Sequence, residues 1–243
     1  MREYLSYDIE LFDDLPEGNA DLKLIKPSVA AICTNYEDCK FFDDDPMMSV
    51  ATANRLVDEM LEYQDKGYNI LTWNGVSFDL QLVGHYANRL EDCGRIALNH
   101  VDMMFLVVCH KGFFLGLDKA LKGANIESKL HNVTLNDHTT FSSMGGDKAP
   151  LLWRNKEFSA VKEYLRVDVE QPLKLARHIE NTGFIRWTSN SGKANSLRTD
   201  MLTVKEALQL PVPDTHWMSD PKPREEFYNW VPLSVLKSEG VIE

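Results

Sequence analysis

The sequence predicts an α/β domain, or an α+β sandwich, built on a mixed five-stranded sheet flanked by helices. Apolar segments of strand length come first, in an antiparallel start, and then alternate with segments of helical periodicity. The chain has 243 residues, of which 44% are hydrophobic, and this suffices for one large domain with a substantial core.

The first predicted elements are strands joined by polar turns. The apolar run at residues 3–12 predicts a buried strand, and residues 13–21, which contain a proline and a glycine, predict a loop. Residues 28–35 predict a second strand, and residues 39–43 a short third strand after a turn. This group accounts for the antiparallel start of the sheet.

The next elements alternate between helix and strand. Apolar residues recur at helical spacing over residues 49–64, and Gly67 ends that helix. Residues 69–73 predict a fourth strand, residues 78–90 a helix, and residues 96–101 a fifth strand. The alternation predicts that helices cover the sheet.

The following stretch is mainly helical. Residues 102–124 predict two short helices separated by a glycine-containing break, with Asp102 either capping the first helix or lining a site. Residues 125–156 are rich in loop-forming residues, and residues 158–181 predict a long helix. Pro172 is expected to kink this helix or to break it.

The C-terminal segment has a different character. Residues 184–199 alternate as a β-hairpin, and residues 211–232 contain five prolines together with several aromatic residues, which predicts an extended arm. We therefore expect one principal domain at 1–182, with the hairpin and arm of 183–243 packed on it.

The charge of the chain is unevenly distributed. The formal net charge is −11, and residues 1–100 carry all of the excess, with 19 acidic and 8 basic side chains. A protein that coats nucleic acid through phosphate contacts is expected to be basic. The charge disfavours such a protein but is compatible with an enzyme that binds only the end of a strand.

The cysteines and the location offer few signals. The four cysteines show neither Cys-x-x-Cys spacing nor a paired histidine cluster, which predicts buried reduced thiols, with zinc binding or disulfides as alternatives. They are Cys33, Cys39, Cys93 and Cys109. No apolar run approaches the roughly 20 residues of a membrane span and no secretory signal is visible, so a cytoplasmic location is expected. This expectation includes a nucleoid-associated protein and a phage-encoded one.

Four acidic residues stand in specific surroundings. Asp8 and Glu10 occupy alternate positions of the first strand, so their side chains point to the same face. Asp79 closes the segment Trp-Asn-Gly-Val-Ser-Phe-Asp, and Asp168 closes Tyr-Leu-Arg-Val-Asp. Like charges at close range raise each other's pKa, and divalent cations remove that penalty. The pattern predicts a site for a pair of metal ions.

Tyr164 and Asp168 are four residues apart on the long helix and are therefore neighbours on one face. A tyrosine one turn from a metal-binding acid can hold a water beside the metal. This suits hydrolysis in which two ions activate water and stabilise charge on a phosphoryl group. Oxygen ligands favour Mg²⁺ or Mn²⁺ over zinc.

Each motif also has an ordinary interpretation, but their order and context agree. Tyr-Asp-Ile-Glu, Asn-Gly-x-x-Phe-Asp and Tyr-x-x-x-Asp resemble the three motifs of the DnaQ-like (DEDD) 3′–5′ exonuclease superfamily, over roughly residues 3–180. The second motif is most similar to the proofreading domains of family B DNA polymerases, and the chain as a whole to stand-alone exonucleases of this type from bacteria or phages. The resemblance implies a ribonuclease H-like fold.

The resemblance also implies a set of catalytic residues. Two divalent metal ions, Mg²⁺ or Mn²⁺, would be bound by four acids, and Tyr164 would orient the attacking water. The metal-binding residues would be Asp8, Glu10, Asp79 and Asp168. The other branch of the superfamily has a histidine where this chain has Glu163, so the tyrosine (DEDDy) subtype is favoured.

Further positions would meet the substrate by the same resemblance. Asn74 would lie against the terminal nucleotides, and Phe78 would support the motif from the core beside them. Leu11 and Phe12 would wedge against the terminal base, with a role as core strand residues as the alternative.

Three functions remain open from the sequence. The first is a 3′–5′ exonuclease that releases nucleoside 5′-monophosphates from single-stranded DNA 3′ ends. The second acts on RNA 3′ ends, since the motifs do not reveal contacts to a 2′-hydroxyl group. The third binds nucleic-acid ends without turnover.

Overall fold

A computed structural model of the chain describes residues 2–16, 18 and 21–243. The loop expected at residues 13–21 lies partly outside the described residues. A bilayer-spanning helix is absent from the described part of the chain, because none of its helices combines enough length with enough apolar character.

The central sheet is mixed and has five strands within the described residues: β1 (Tyr4–Leu11), β2 (Pro27–Cys33), β3 (Lys40–Asp43), β4 (Asn69–Thr72) and β5 (Val101–Asp102). Their order in the sheet is β3-β2-β1-β4-β5. The first three are antiparallel neighbours, whereas β4 runs parallel to β1 and β5 runs parallel to β4. The predicted mixed five-stranded sheet is confirmed.

Helices cover the sheet. Within the described residues they are α1 (Val50–Asp65), α2 (Asp79–Tyr86), α3 (Leu90–Asn99), α4 (Met103–Lys111), α5 (Leu117–Gly123), α6 (Ala149–Arg154), α7 (Phe158–Thr182), α8 (Val204–Ala207), α9 (Glu225–Tyr228) and α10 (Leu233–Ser238). α7 packs along β1 and β2, and α1 and α3 pack on β4. The nearly continuous burial of β1 and β2 follows from this cover.

The prediction of a strand at residues 96–101 is wrong for most of its length. Residues 90–99 form α3, and only Val101 and Asp102 join the sheet. Cys93, Ile96 and Ala97 are buried at helical spacing, so packing of this face against α1 and α2 determines the outcome. A short apolar run can satisfy either a strand or a buried helix.

The long helix continues through its proline. α7 spans 25 residues with Pro172 inside it, so of the two expected outcomes, a kink or a break, the break is wrong. Pro172 and its neighbour Gln171 are buried, and the side-chain amide of Gln171 donates to the carbonyl of Ser128 at 2.9 Å. Tertiary packing outweighs the lost helical hydrogen bond.

Two of the four cysteines do not match the expected reduced thiols. Cys33 and Cys39 form a disulfide, while Cys93 and Cys109 are free and buried. Ile32 lies opposite Lys40 in the β2–β3 ladder, so the adjoining residues Cys33 and Cys39 also face each other, with 4.3 Å between their Cα atoms. The pairing depends on strand register, which Cys-x-x-Cys spacing does not reveal.

The remaining segments add two hairpins and short helices. β6 (Asn132–Thr134) pairs with β7 (Thr140–Ser142) inside the segment that was expected to be mostly loop, and β8 (Phe184–Thr188) pairs with β9 (Ala194–Arg198) as predicted. β8 packs on α5, while α8 packs on α3 and α4. The indole N–H of Trp230, in the arm, donates to the carbonyl of Val76 at 2.7 Å. The C-terminal segment therefore contacts the loop that follows β4.

Candidate active site

Three carboxylates from two elements meet at one point. Asp8 and Glu10 lie on β1 and Asp168 lies on α7, and one oxygen of each lies within 4.8 Å of the others. The alternation of β1 puts the first two on one face, and the packing of α7 along β1 brings the third to them. The acids that the sequence singled out at 8, 10 and 168 are thus neighbours.

Asp79 approaches the same cleft from a third element. It is the first residue of α2, where the helix dipole favours a negative charge. It lies outside the group of three with mutual separations under 4.8 Å. Its carboxyl group nevertheless lies close to that of Asp8, and both line an open cleft of about 220 Å³ with Glu10 and Asp168. Asp8 therefore lies between Asp79 and the other two acids.

The environment opposes ionisation of these acids. Burial raises the pKa of Asp8 and of Glu10 well above their usual range, and neighbouring carboxylates raise both further. Burial raises the pKa of Asp79 to about 7. At an effective dielectric constant of about 20, two charges 4.8 Å apart repel each other by about 3 kcal/mol. Gathering these groups is unfavourable without a compensating positive charge.

One compensating charge comes from Lys129, which the sequence analysis did not identify. Its Nζ lies 2.7 Å from Oδ2 of Asp168 and 5.4 Å from the ring centroid of Tyr164. Burial disfavours the charged ammonium group, but the combined attraction of Asp168, Tyr164 and Asp8, with the hydrogen bond to Asp168, outweighs it, so the pKa of Lys129 lies above its usual range. Burial raises the pKa of Asp168 even so, against the lowering effect of Lys129.

The donor set fits divalent cations. Oδ1 of Asp168 is buried and has no hydrogen-bond partner among the described residues, although buried carboxylate oxygens normally have one. Four carboxylates against one ammonium group leave three negative charges unbalanced when all are ionised. Carboxylate oxygens are the ligands that Mg²⁺ and Mn²⁺ prefer. Asp8, Glu10, Asp79 and Asp168 are therefore the residues that could hold such ions.

Tyr164 lies beside this group on α7. It is buried, lines the cleft and contacts Lys129 through its ring. Burial and the nearby charge of Asp168 raise its pKa, so the phenol remains protonated at neutral pH. A protonated hydroxyl group can both donate and accept a hydrogen bond.

The residues expected to meet substrate are only partly brought together. Leu11, Asn74 and Phe78 line the cleft with the acids. Phe12 is not among its lining residues in the described part of the chain; it is half-buried and packs against the hydrophobic core. The structure thus places Phe12 nearer its alternative role as a core residue.

Trp73 also lines the cleft, although the sequence suggested only a strand end. Its indole N–H donates to the carbonyl of Leu115 at 3.2 Å, which fixes the ring. A tryptophan directly before the Asn-Gly pair was the available signal. Lys129 offered none, because it lies in an irregular segment without periodicity.

Comparisons with known proteins match the fold but not the sequence. No protein-family model matches the chain. No curated protein matches it either. The structure is similar to that of the family B DNA polymerase from the hyperthermophilic archaeon Pyrobaculum calidifontis, with a TM-score of 0.56 and 17% identity, over 74% of this chain and 25% of the polymerase chain.

A second similarity is weaker. E. coli exonuclease I in complex with an oligonucleotide matches with a TM-score of 0.35 and 10% identity, over 74% of this chain and 40% of that chain, and this similarity is too low to carry an argument.

The match to the polymerase covers only part of that protein, because this chain spans about a quarter of the polymerase's length. The predicted fold class is confirmed: an α/β, ribonuclease H-like fold with a mixed five-stranded sheet flanked by helices.

Proposed function

We propose that this protein is a metal-dependent 3′–5′ exonuclease of the DnaQ-like superfamily, of the tyrosine subtype. It hydrolyses phosphodiester bonds at single-stranded DNA 3′ ends and releases nucleoside 5′-monophosphates. The observation that carries the proposal is the convergence of four acids, from β1, α2 and α7, on one cleft. The order of the three motifs and the fold similarity to a DNA polymerase support it.

The acids have one function in this proposal, which is to hold two divalent ions. Asp8 is central, since it contacts Asp79 on one side and lies close to Glu10 and Asp168 on the other. Bound Mg²⁺ or Mn²⁺ supplies the positive charge that activates a water and stabilises the phosphoryl group in the transition state.

The remaining residues of the cleft position water and substrate. The hydroxyl group of Tyr164, one helical turn from Asp168, orients the attacking water by a hydrogen bond. Lys129 neutralises part of the acid cluster in the metal-free protein. Its ammonium group lines the same cleft and would be available to the negatively charged phosphate of the substrate.

Substrate contacts come from the walls of the cleft. Asn74 and Phe78 lie against the terminal nucleotide, and Leu11 wedges beside its base. Phe12 packs against the core and receives no substrate contact in this proposal. We assign these functions to the unit formed by residues 1–182, with residues 183–243 packed on it as a hairpin and arm, and we place the protein in the cytoplasm.

A direct assay tests the proposal. The protein is incubated with 5′-labelled single-stranded DNA and RNA of the same sequence, in Mg²⁺, in Mn²⁺ and in EDTA. The matched control is the double variant Asp8→Ala, Glu10→Ala. A ladder of shortened DNA that requires metal, is absent in the control and is stopped by a 3′-terminal phosphorothioate supports the proposal.

The other outcomes separate the alternatives. A ladder on RNA alone supports an exoribonuclease, and tight binding of 3′ ends without shortening supports an end-binding protein. Cleavage that persists in EDTA or in the double variant contradicts the metal-dependent mechanism.

A further inference from the structure

A single buried carboxylate links the two parallel strands next to the active site. Asp102 ends β5, and its side chain accepts four backbone hydrogen bonds of 3.0 Å each. Two come from the first turn of α4, at Met104 and Phe105, which confirms the expected helix cap. The other two come from Asn74 and Val76, in the loop after β4. A cap alone does not account for these.

A second pair of side chains, Thr72 and His100, holds Gly75, which lies between Asn74 and Val76. The hydroxyl oxygen of Thr72 accepts from the N–H of Gly75 at 3.1 Å and lies 3.0 Å from Nε2 of His100. Nδ1 of His100 lies 2.7 Å from the carbonyl of Ala97, and burial lowers its pKa, so the neutral ring donates there and accepts from Thr72. Three successive N–H groups, at residues 74 to 76, are therefore bound by buried side chains.

The geometry of this loop is demanding. Asn74 has a φ of 77°, in the left-handed region that few residues adopt readily. A Cβ atom at Gly75 would lie 2.6 Å from the Thr72 side chain, so the close approach requires glycine. Oδ1 of Asn74 accepts from Ser77 at 2.6 Å, which leaves its amide N–H donors available in the cleft.

Asn74 and Asp79, the proposed metal-binding acid of this segment, are held in place by different hydrogen bonds. The N–H of Leu80, beside Asp79, donates to the carbonyl of Gly75, and the helical bond from Leu82 to Phe78 fixes the same turn. Neither bond involves Asp102. A disturbed Asp102 therefore affects Asn74 more than Asp79.

We propose that Asp102 is a positioning residue, which fixes the left-handed backbone at Asn74 so that the Asn74 amide meets the 3′-terminal nucleotide. Asp102 acts on the substrate through Asn74 and has no contact with substrate or metal. This inference rests on the proposed exonuclease function.

The test compares Asp102→Asn with wild type. The carbonyl oxygen that caps α4 also keeps the bond from Asn74, whereas the new amide group faces the N–H of Val76 with another donor. The loop that holds Asn74 is therefore disturbed at Val76. We expect KM for a single-stranded DNA oligonucleotide to rise about tenfold while kcat stays within about threefold. The affinity for Mn²⁺ without substrate, measured by titration, should not weaken, because Asp102 is not a ligand and its negative charge only adds to the repulsion at Asp79.

A double-mutant cycle separates positioning from a general loss of structure. Asn74→Ala raises KM alone, and Asp102→Asn in the Asn74→Ala background adds less than about twofold, because both changes remove the same contact. Equal effects in both backgrounds overturn the proposal. Ser49→Ala is the matched control, because it removes the cap of α1 from Thr52 without touching the loop, and should leave KM unchanged.

A second pair of variants protects the test against misfolding of Asp102→Asn. Thr72→Val removes the hydroxyl oxygen that accepts from the N–H of Gly75 and should raise KM. Thr72→Ser keeps a hydroxyl group at this position and should have the KM of the wild type. Backbone hydrogen exchange of residues 74–76 provides a readout without substrate: protection should fall in Asp102→Asn and in Thr72→Val. If the wild type cleaves no nucleic acid, the proposed function fails. If hydrogen exchange at residues 74–76 is the same in both variants as in wild type, Asp102 and Thr72 do not fix the loop, and the inference is refuted whatever the activity.

Discussion

The raised pKa of Asp79 predicts that the metal-free protein loses stability as pH rises. The pKa of Asp79 increases from 3.8 in an unfolded chain to about 7 in the fold, chiefly through burial. A group with a raised folded pKa contributes stability that is present below the unfolded pKa and lost as pH rises through the folded pKa. The window therefore runs from about pH 4 to about pH 7.

The magnitude follows from the size of the shift. A shift of about three pKa units corresponds to about 4 kcal/mol of unfolding free energy above pH 7, and about 1 kcal/mol of this is already lost at pH 4.5. Other groups also titrate in this range, so the comparison is made with Asp79→Asn, which has no carboxylate at this position. In EDTA, the variant should be more stable than wild type by about 4 kcal/mol at pH 8 and by about 1 kcal/mol at pH 4.5.

Urea unfolding followed by tryptophan fluorescence at several pH values measures this gap. Saturating Mg²⁺ or Mn²⁺ should stabilise the wild type at pH 8 and reverse the order, because metal binding favours the folded ionised form. A gap that stays constant from pH 4.5 to pH 8 in EDTA refutes the reasoning, because Asp79 would then titrate equally in both states.

Three further substitutions test the cleft. Asp168→Asn should abolish cleavage and leave the urea midpoint in EDTA near that of wild type, because the repulsion that it relieves is offset by the lost ion pair with Lys129; comparable cleavage in both proteins contradicts its assignment. Tyr164→Phe should lower kcat by about 10- to 100-fold without changing Mn²⁺ affinity, because it removes a positioning hydroxyl group and no ligand. Lys129→Met should tighten Mn²⁺ binding, since the competing ammonium group is gone, and lower kcat by about 100-fold; weaker Mn²⁺ binding in that variant contradicts the competition.

The meeting of the acids could be predicted from the sequence because it depends on local periods. The period of two in β1 puts Asp8 and Glu10 on one face, and the helical period puts Tyr164 and Asp168 side by side. The motif order then required only that the strand and the helix pack together. The sheet was predictable for similar reasons, apart from residues 96–99, which were expected to be strand and are helix.

The contributions of Lys129 and Asp102 could not be predicted in this way. Lys129 lies in an irregular segment, and its position depends on tertiary contacts such as the bond from Gln171 to Ser128. The sequence predicted that Asp102 could cap α4, but its bonds to Asn74 and Val76 exist only because β4 and β5 are neighbours in the sheet. Long-range adjacency of this kind has no signature in a single sequence.

The proline inside α7 has a mechanical consequence for the last acid. Pro172 has no N–H, so the carbonyl of Asp168, four residues earlier, lacks the donor that this position normally supplies. The helical turn that carries Asp168 has one backbone hydrogen bond fewer than the neighbouring turns. Its backbone can therefore shift more easily when a ligand binds the Asp168 side chain. Such a site could adjust its oxygen spacing to cations of different radius, so the protein should bind more than one kind of divalent ion.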